Sequence, residues 1–329
     1  MKRLAAMVGA LALAAAIAIP AHAETKLRIT LQLPLKAHLG QNLLMFKEEV
    51  ERESKGDIKV EIYDSAQLYK DKEVPQAVGS GAIEMGVASL TRYVGEIPAV
   101  DIFYVPFMFN TDAKVRKAVA PGSAVRAPID DAILKTGSRV LWWQAYGGAI
   151  MLSKSPLKTP TDIEGKKVRV FGRTLGKFIE TLGGAPTLIS GSEQYVAYQR
   201  GTVDAGMTGV SGVKSRKLWE VMDWITVTNH ADIEFIVVVN EKFWQGLTEA
   251  QRDIVTKAAH NAEAHVRNEM ANIEAEAYAA ARKAGMKVQE LSDADVAAWR
   301  KATKPVLDSY LAESGPLGAQ IYKAAQSLD

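Results

Sequence analysis

The chain has 329 residues, no cysteine, and 40 lysines and arginines against 38 aspartates and glutamates. A net charge so close to zero gives no indication of a nucleic-acid partner, which would call for a basic surface. The absence of cysteine excludes a disulfide framework, so the protein must be held together by its hydrophobic core, and the length allows two domains.

The first 23 residues have the organisation of a secretory signal peptide. Two cations precede an apolar run from Leu4 to Ile19. The triplet Ala21-His22-Ala23, with small residues at its first and third positions, follows this run. The run is shorter than the roughly 20 residues of a membrane-spanning helix. We therefore predict cleavage after Ala23, which leaves 40 − 2 = 38 cations against 38 acids.

Beyond this segment, the order strand, helix, strand, helix, strand occurs twice. The first set has predicted strands at 26–32, 58–63 and 82–89, with helices at 43–53 and 71–80. The second has predicted strands at 167–171, 185–189 and 202–208, with helices that begin at Thr174 and Ser192. We therefore predict an α/β protein with two parallel-sheet lobes.

Residues 249–284 form a long amphipathic pattern, preceded by a capping box at Thr248 and Gln251 and followed by Gly285. An uninterrupted helix of this length would measure roughly 54 Å. A coiled-coil arm is an alternative, but the apolar stripe is mostly alanine, which suits close packing on a protein surface better. We predict a helix that crosses both lobes.

The candidate binding residues follow the predicted strands. In open parallel sheets the ligand lies beyond the carboxyl ends of the strands, and two facing lobes would bring both sets of ends into one cleft. The residues concerned are Gln32, Leu33, Ser65, Gln67, Ser89 and Thr91 in the first lobe, and 171–174, 190–192 and 208–211 in the second.

Arg169 lies within the predicted strand KVRVF, in a stretch that is rich in cations. A strand covered on both faces cannot bury a guanidinium without an anionic partner, because desolvation costs several kcal/mol. The partner is either a protein acid, such as Asp204 or Glu193, or the carboxylate of a ligand. Arg173 stands ahead of the next helix, where its side chain would reach either the cleft or its rim.

The sequence shows no pattern typical of a catalytic or metal site. It lacks the nucleophile elbow, the phosphate-binding loop and the zinc-protease motif, and His260 and His265 are five apart and face different ways on a helix. We expect no cofactor and no metal. An exported hydrolase or lyase remains an alternative, but a two-lobed protein without a catalytic constellation is typical of a binding protein.

Several stretches, in the same order, resemble the DctP-type solute receptors of tripartite ATP-independent periplasmic (TRAP) transporters. They are SAQLYKDKEV, GAIEMGVAS, VPFMF, LKTPTDIEGKKVRV, LGGAPTLISGSEQYVAYQRGTVDAG and KLWEVMDWITVTNH. The resemblance implies a monomeric periplasmic receptor that closes two lobes on an organic acid and delivers it to the sodium-coupled membrane subunits. An ABC-type receptor is the alternative, which the long helix disfavours.

The resemblance also implies roles for individual residues. It assigns the ligand carboxylate to Arg169, a second contact to Thr208, and further cleft positions to Ser89, Gln32 and Asp71. When the two sets of predicted strands and helices are aligned with each other, Gln32 of the first set corresponds to Arg173 of the second. We therefore keep Arg173 as a sixth candidate.

Two positions bear on the ligand. Ala149 stands where some relatives of this kind have a second arginine, which argues against sialic-acid-like sugars, and Ser89 stands where some have an acid. With Trp142, Trp143 and Tyr146 nearby, we expect a monocarboxylate rather than a C4-dicarboxylate.

The predicted organisation is therefore a two-lobed periplasmic binding protein fold. Lobe one contains residues 24–146 and about 234–273, and lobe two contains residues 147–233 and about 274–329. Crossing strands join the lobes, the ligand cleft lies between them, and the long helix spans both.

Overall fold

The structure is a computed structural model that describes residues 24–328, so the predicted signal peptide lies outside the described residues. Its strands are β1 (Thr25–Thr30), β2 (Ile58–Tyr63), β3 (Met85–Ser89), β4 (Ser138–Ser153), β5 (Lys167–Val170), β6 (Ala185–Leu188), β7 (Ala205–Gly209), β8 (Trp224–Val227), β9 (Asp232–Asn240) and β10 (Lys287–Glu290).

The helices connect and cover these strands. They are α1 (His38–Glu53), α2 (Val74–Gly79), α3 (Asp112–Val119), α4 (Arg126–Leu134), α5 (Arg173–Thr181), α6 (Gln194–Gln199), α7 (Val210–Arg216), α8 (Glu241–Gly246), α9 (Glu249–Lys283), α10 (Asp293–Ala302), α11 (Lys304–Glu313) and α12 (Gly315–Gln326). Short 3₁₀ helices at Asp71–Glu73, Leu90–Tyr93, Pro98–Tyr104, Pro160–Ile163, Gly191–Glu193 and Leu218–Glu220 lie between them.

Each lobe contains one of the two predicted strand sets. In lobe one β2, β1 and β3 are parallel, and in lobe two β6, β5 and β7 are parallel. All five residues of both β3 and β7 are buried, as expected for central strands covered by helices on both faces. The repeated pattern in the sequence therefore corresponds to two similar half-sheets, and the predicted fold class is confirmed.

Two long antiparallel strands connect the lobes. The first part of β4 pairs with β9, and its last residues, Ala149–Ser153, pair with β7 instead. A bulge interrupts the β4–β9 pairing between Ala145 and Gly147, and Gly147 has a φ of +89°, which favours glycine. Just beyond this bulge, the partner of β4 changes from β9 to β7.

The long predicted helix is present as α9, and its capping box at Thr248 and Gln251 is formed as predicted. It packs against α1 in lobe one, α7 in lobe two, and β4 between them. Among residues 24–328, no helix combines the length and the apolar composition that a bilayer crossing needs.

The C-terminal helices touch segments of both lobes. Helices α11 and α12 pack on the 3₁₀ helix Pro98–Tyr104, and α11 also packs on α5. The Tyr310 hydroxyl donates a hydrogen bond to the carbonyl oxygen of Ala99 at 3.0 Å. The assignment of residues 274–329 to lobe two therefore stays a prediction.

Candidate functional site

The strand ends of the two lobes meet at a small cavity of about 20 Å³. Five of the six sequence-predicted site residues line it: Gln32, Asp71 and Ser89 from lobe one, and Arg169 and Thr208 from lobe two. Tyr146 and Phe235 of the crossing strands and Arg216 of α7 complete much of the wall. So small a space holds about one water molecule, which indicates that the lobes are closed.

Arg169 is buried, with 3% of its surface exposed, and is anchored by backbone oxygens. Its Nε donates to the carbonyl of Ile189 at 2.9 Å and its Nη1 to that of Met207 at 2.5 Å. Its guanidinium also lies 5.2 Å from the centre of the Phe171 ring. The surrounding backbone therefore fixes the orientation of the side chain without neutralising its charge.

Neither acid considered from the sequence reaches Arg169. Asp204 accepts a hydrogen bond from the backbone N–H of Lys167, and Glu193 pairs with Lys70. Within the described part of the chain, Arg169 has no carboxylate partner. Burial lowers the pKa of Arg169 to about 10, and the positive charges of Arg216 and Arg92 act in the same direction.

Arg216 is a second cavity arginine, and the sequence did not indicate it. Its Nη2 donates to Thr208 Oγ1 at 2.9 Å and its Nη1 to the carbonyl of Gly191 at 3.0 Å. It stands at the end of α7, six residues beyond the start of that helix. Only the way α7 packs brings the side chain back to the end of β7, so no local signal could have identified it.

Asp71, Ser89 and Arg92 form a buried cluster in lobe one. Asp71 accepts bonds from the backbone N–H and the hydroxyl of Ser89, at 2.9 and 2.8 Å, and from Arg92 Nε at 2.5 Å. Arg92 Nη2 is buried without a hydrogen-bond partner in the described structure. Asp71 therefore compensates the charge of Arg92, but both N–H donors of the Nη2 group are left unused.

Several contacts cross directly from one lobe to the other. Gln32 Oε1 accepts a hydrogen bond from the backbone N–H of Gly191 at 2.9 Å, in a buried position. Asp101 accepts one from the N–H of Thr174 at the start of α5, at 3.1 Å, and burial raises the pKa of this carboxyl. The exposed pair Lys70–Glu193 adds an ion pair at 2.8 Å. These contacts exist only when the lobes are closed.

Arg173, the sixth candidate, does not line the cavity. Its side chain is 54% exposed and pairs with Glu313 of α11 at 2.8 Å. It begins α5, and the side chain of this first helical residue is directed to the C-terminal helices. The internal repeat correctly paired the strands but did not fix which residue after the strand faces the cleft.

The charge of the cavity region is positive. Arg169, Arg216 and Asp71 line the cavity, a formal sum of 2 − 1 = +1. Arg92, which pairs with Asp71 but is not part of the lining, brings the sum of the surrounding region to +2. Across residues 24–328, no group of three or more histidines and acids is arranged to hold a metal ion. An anion is the counter-charge that such a site accepts.

Comparisons with known proteins identify the family of this chain. Residues 32–314 match DctP, the bacterial extracellular solute-binding protein family 7. The chain is 31% identical over 327 residues to the C4-dicarboxylate-binding periplasmic protein DctP of Rhodobacter capsulatus, which covers 98% of this chain and 97% of that protein.

Solved structures share the fold. A TRAP periplasmic solute-binding protein from Shewanella oneidensis with bound succinate has a TM-score of 0.88 and 24% identity, over 93% of this chain and 99% of that one. One from Polaromonas with bound D-erythronate has a TM-score of 0.85 and 25% identity, over 92% and 99%. The family and these relatives are solute receptors, not enzymes, which removes the hydrolase or lyase alternative. The chain therefore belongs to the DctP family of bacterial extracellular solute-binding proteins.

Proposed function

We propose that this protein is a periplasmic receptor that captures a small organic acid by closing its lobes and delivers it to a sodium-coupled TRAP permease. The observation that carries the proposal is Arg169, a buried guanidinium held by two backbone carbonyls without a protein carboxylate. The resemblance to TRAP receptors favours this class over the ABC-type alternative.

An unpaired buried guanidinium is costly, because it loses its hydration and gains no opposite charge. A carboxylate in the cavity would offset this cost with charge-assisted hydrogen bonds. The Nη2 group of Arg169 has no bond within residues 24–328, and Arg216 and Thr208 lie at the same cavity. We therefore place the carboxylate of the solute against Arg169.

The charge balance favours a dianion over the monocarboxylate that the sequence suggested. The formal sum of +2 includes Arg92, which lies beside the cavity rather than in its lining, and two carboxylates would balance it. The buried Arg92 Nη2 is a donor without a partner in the opposite lobe. The relative in Rhodobacter capsulatus is named for C4-dicarboxylates, which supports the same reading. A dicarboxylate would span from Arg169 to Arg92 and so connect both lobes.

Closure follows from this division of contacts. A solute bound to one lobe gains its remaining hydrogen bonds only when the other lobe closes, so its affinity for the closed form is higher. The bulge at Gly147, where β4 passes between the lobes, is the position at which we place the hinge. Because the cavity of about 20 Å³ is too small for an organic acid, the lobes must separate to admit the solute and then close around it less tightly than they do here.

Calorimetry with a panel of mono- and dicarboxylates tests the proposal. We expect Arg169→Ala to weaken binding at least ~30-fold, because loss of a buried charge-assisted contact costs about 2–5 kcal/mol. Arg173→Ala is the matched control and should bind as wild type does. Equal affinity of Arg169→Ala and wild type for the preferred acid would contradict the proposed site.

The location and the delivery step need separate experiments. N-terminal sequencing of the exported protein should begin at Glu24. Uptake into vesicles that contain the membrane subunits should require both this receptor and an inward sodium gradient, and uptake without either would contradict the proposed coupling.

A further inference from the structure

A wide groove of about 680 Å³ lies apart from the ligand cavity, between the segment 105–108 and the helices α10, α11 and α12. This segment belongs to the VPFMF stretch, to which the proposed function gives no role. None of the residues of the ligand cavity lines the groove. The two sites are therefore separate.

The groove combines an apolar floor with a cationic rim. Phe107, Met108, Val296 and Leu307 contribute apolar surface. The charged residues that line it are Lys114, Arg300, Lys301, Lys304 and Asp293, a formal sum of 4 − 1 = +3. The whole chain, by contrast, is close to neutral. In the part of the chain that is described, Arg300, Lys301 and Lys304 form no salt bridge with a carboxylate.

The backbone conformation of Phe107 indicates that the groove is a functional site. Its φ is +60°, in the left-handed region that a bulky side chain rarely adopts, and such strain is concentrated at functional positions. Its ring lies 5.1 Å from the guanidinium of Arg300. Its N–H donates to the carbonyl of His230 at 2.8 Å, two residues before β9 begins. This hydrogen bond connects the apolar floor of the groove to the segment that precedes the crossing strand β9.

We propose that this groove docks an acidic segment of a protein partner, with an apolar side chain on the floor and carboxylates against Arg300, Lys301 and Lys304. The inference rests on the proposed function, since a receptor must pass its solute to another protein. Phenylalanine, methionine and arginine are residues that protein interfaces favour. A concave groove accepts a protruding side chain, whereas a flat lipid surface would reach only the rim.

Fluorescence anisotropy with a labelled synthetic peptide tests the inference on the full mature chain. The peptide has a central Phe-Leu pair flanked by glutamates, and its counterpart has lysines instead. We expect the acidic peptide alone to bind, with an affinity that falls as salt rises. The double variant Lys301→Glu/Lys304→Glu should weaken binding by at least about tenfold.

The matched control is Lys242→Glu/Lys257→Glu, which makes the same change in net charge at two exposed lysines outside the groove. It should bind the acidic peptide as wild type does. The inference is overturned if the acidic peptide does not bind, if both double variants weaken binding equally, or if phosphatidylglycerol-rich vesicles bind in its place. If the Lys301/Lys304 variant binds the solute as wild type does, the groove and the cleft act independently. Failure of this inference would then leave the proposed function unaffected.

Discussion

Arg169 in the cleft and Arg267 beneath the crossing strands are both buried, with 3% and 8% of their surfaces exposed. Arg267 has a protein carboxylate, because its Nη1 and Nη2 lie 2.5 and 2.9 Å from the two oxygens of Glu234. Burial is the largest single influence on the pKa of Arg267 and acts to lower it, but the charge and hydrogen bonds of Glu234 together with the charges of Asp232 and Glu263 raise the pKa overall. The pKa of Arg169 is lowered to about 10.

The comparison distinguishes the charge of Arg267, which stabilises the fold, from the charge of Arg169, which we assign to solute binding. Arg126 follows the structural pattern as well, because it pairs with Glu263 of α9 and with Asp130. Where an arginine supports the fold, the chain supplies its acid. Arg169 in the cleft has no such acid among the described residues, and we attribute the place of that acid to the solute.

The largest expected effect comes from removing each arginine in turn. Arg267→Met leaves Glu234 buried without a partner and should lower the free energy of unfolding by about 3–5 kcal/mol. Arg169→Met removes an uncompensated buried charge, so the free energy of unfolding of the solute-free protein should stay the same or rise. Urea unfolding monitored by circular dichroism measures both. Equal destabilisation by the two variants would contradict the comparison.

A second variant would add an acid on the lobe-two side of the cleft. Thr208→Asp places a carboxylate beside Arg216, which now donates to the threonine hydroxyl. We expect solute binding to weaken by at least about tenfold, because the new acid competes with the solute carboxylate and repels it. Thr208→Ser keeps the hydroxyl and is the control for calorimetry. Tighter binding by Thr208→Asp would argue against an anionic solute.

The hinge region should make stability depend on pH. Burial, and next the charge of Glu234, raise the pKa of Asp232 well above its usual 3.8. The folded protein therefore keeps a proton on Asp232 that the unfolded chain loses, so this contribution to stability falls as the pH rises above about 4. The slope for one such group is about 1.4 kcal/mol per pH unit.

Asp232→Asn should remove this part of the slope, because asparagine does not titrate. Unfolding in urea at several pH values between 4 and 8 would show a flatter profile for the variant than for wild type. Parallel profiles would mean that Asp232 does not hold its proton in the folded state.

The smallest expected effects concern the contacts that join the lobes. Gln32→Ala removes the buried hydrogen bond to Gly191, which is worth about 1 kcal/mol, so solute affinity should fall roughly fivefold. Lys70→Ala removes an exposed ion pair and should change affinity less than about twofold. Calorimetry of both variants at low and high salt would measure the two losses of affinity separately. A larger loss for Lys70→Ala would reverse the ranking of buried and exposed contacts.

The sequence predicted much of the architecture. The twofold strand pattern predicted the two parallel half-sheets, and the capping box at Thr248 predicted the start of α9. The positions after the strands included Gln32, Ser89 and Thr208, which line the cavity. These predictions succeeded because periodicity and capping depend on residues only a few positions apart.

The sequence could not give the partners of the charged residues. Arg216 reaches the cavity from the far end of a helix, Arg92 pairs with Asp71 over 21 positions, and Arg173 pairs with Glu313 of the C-terminal helices. Each of these outcomes depends on how distant elements pack.

From residue patterns alone, two similar α/β lobes, one long helix across them and an arginine within the strand KVRV could be predicted. Which buried arginines have an acid and which do not depends on the three-dimensional packing. The reason is that a strand or helix is specified by neighbours along the chain, whereas the cost of a buried charge is set by whatever the fold brings within a few ångströms.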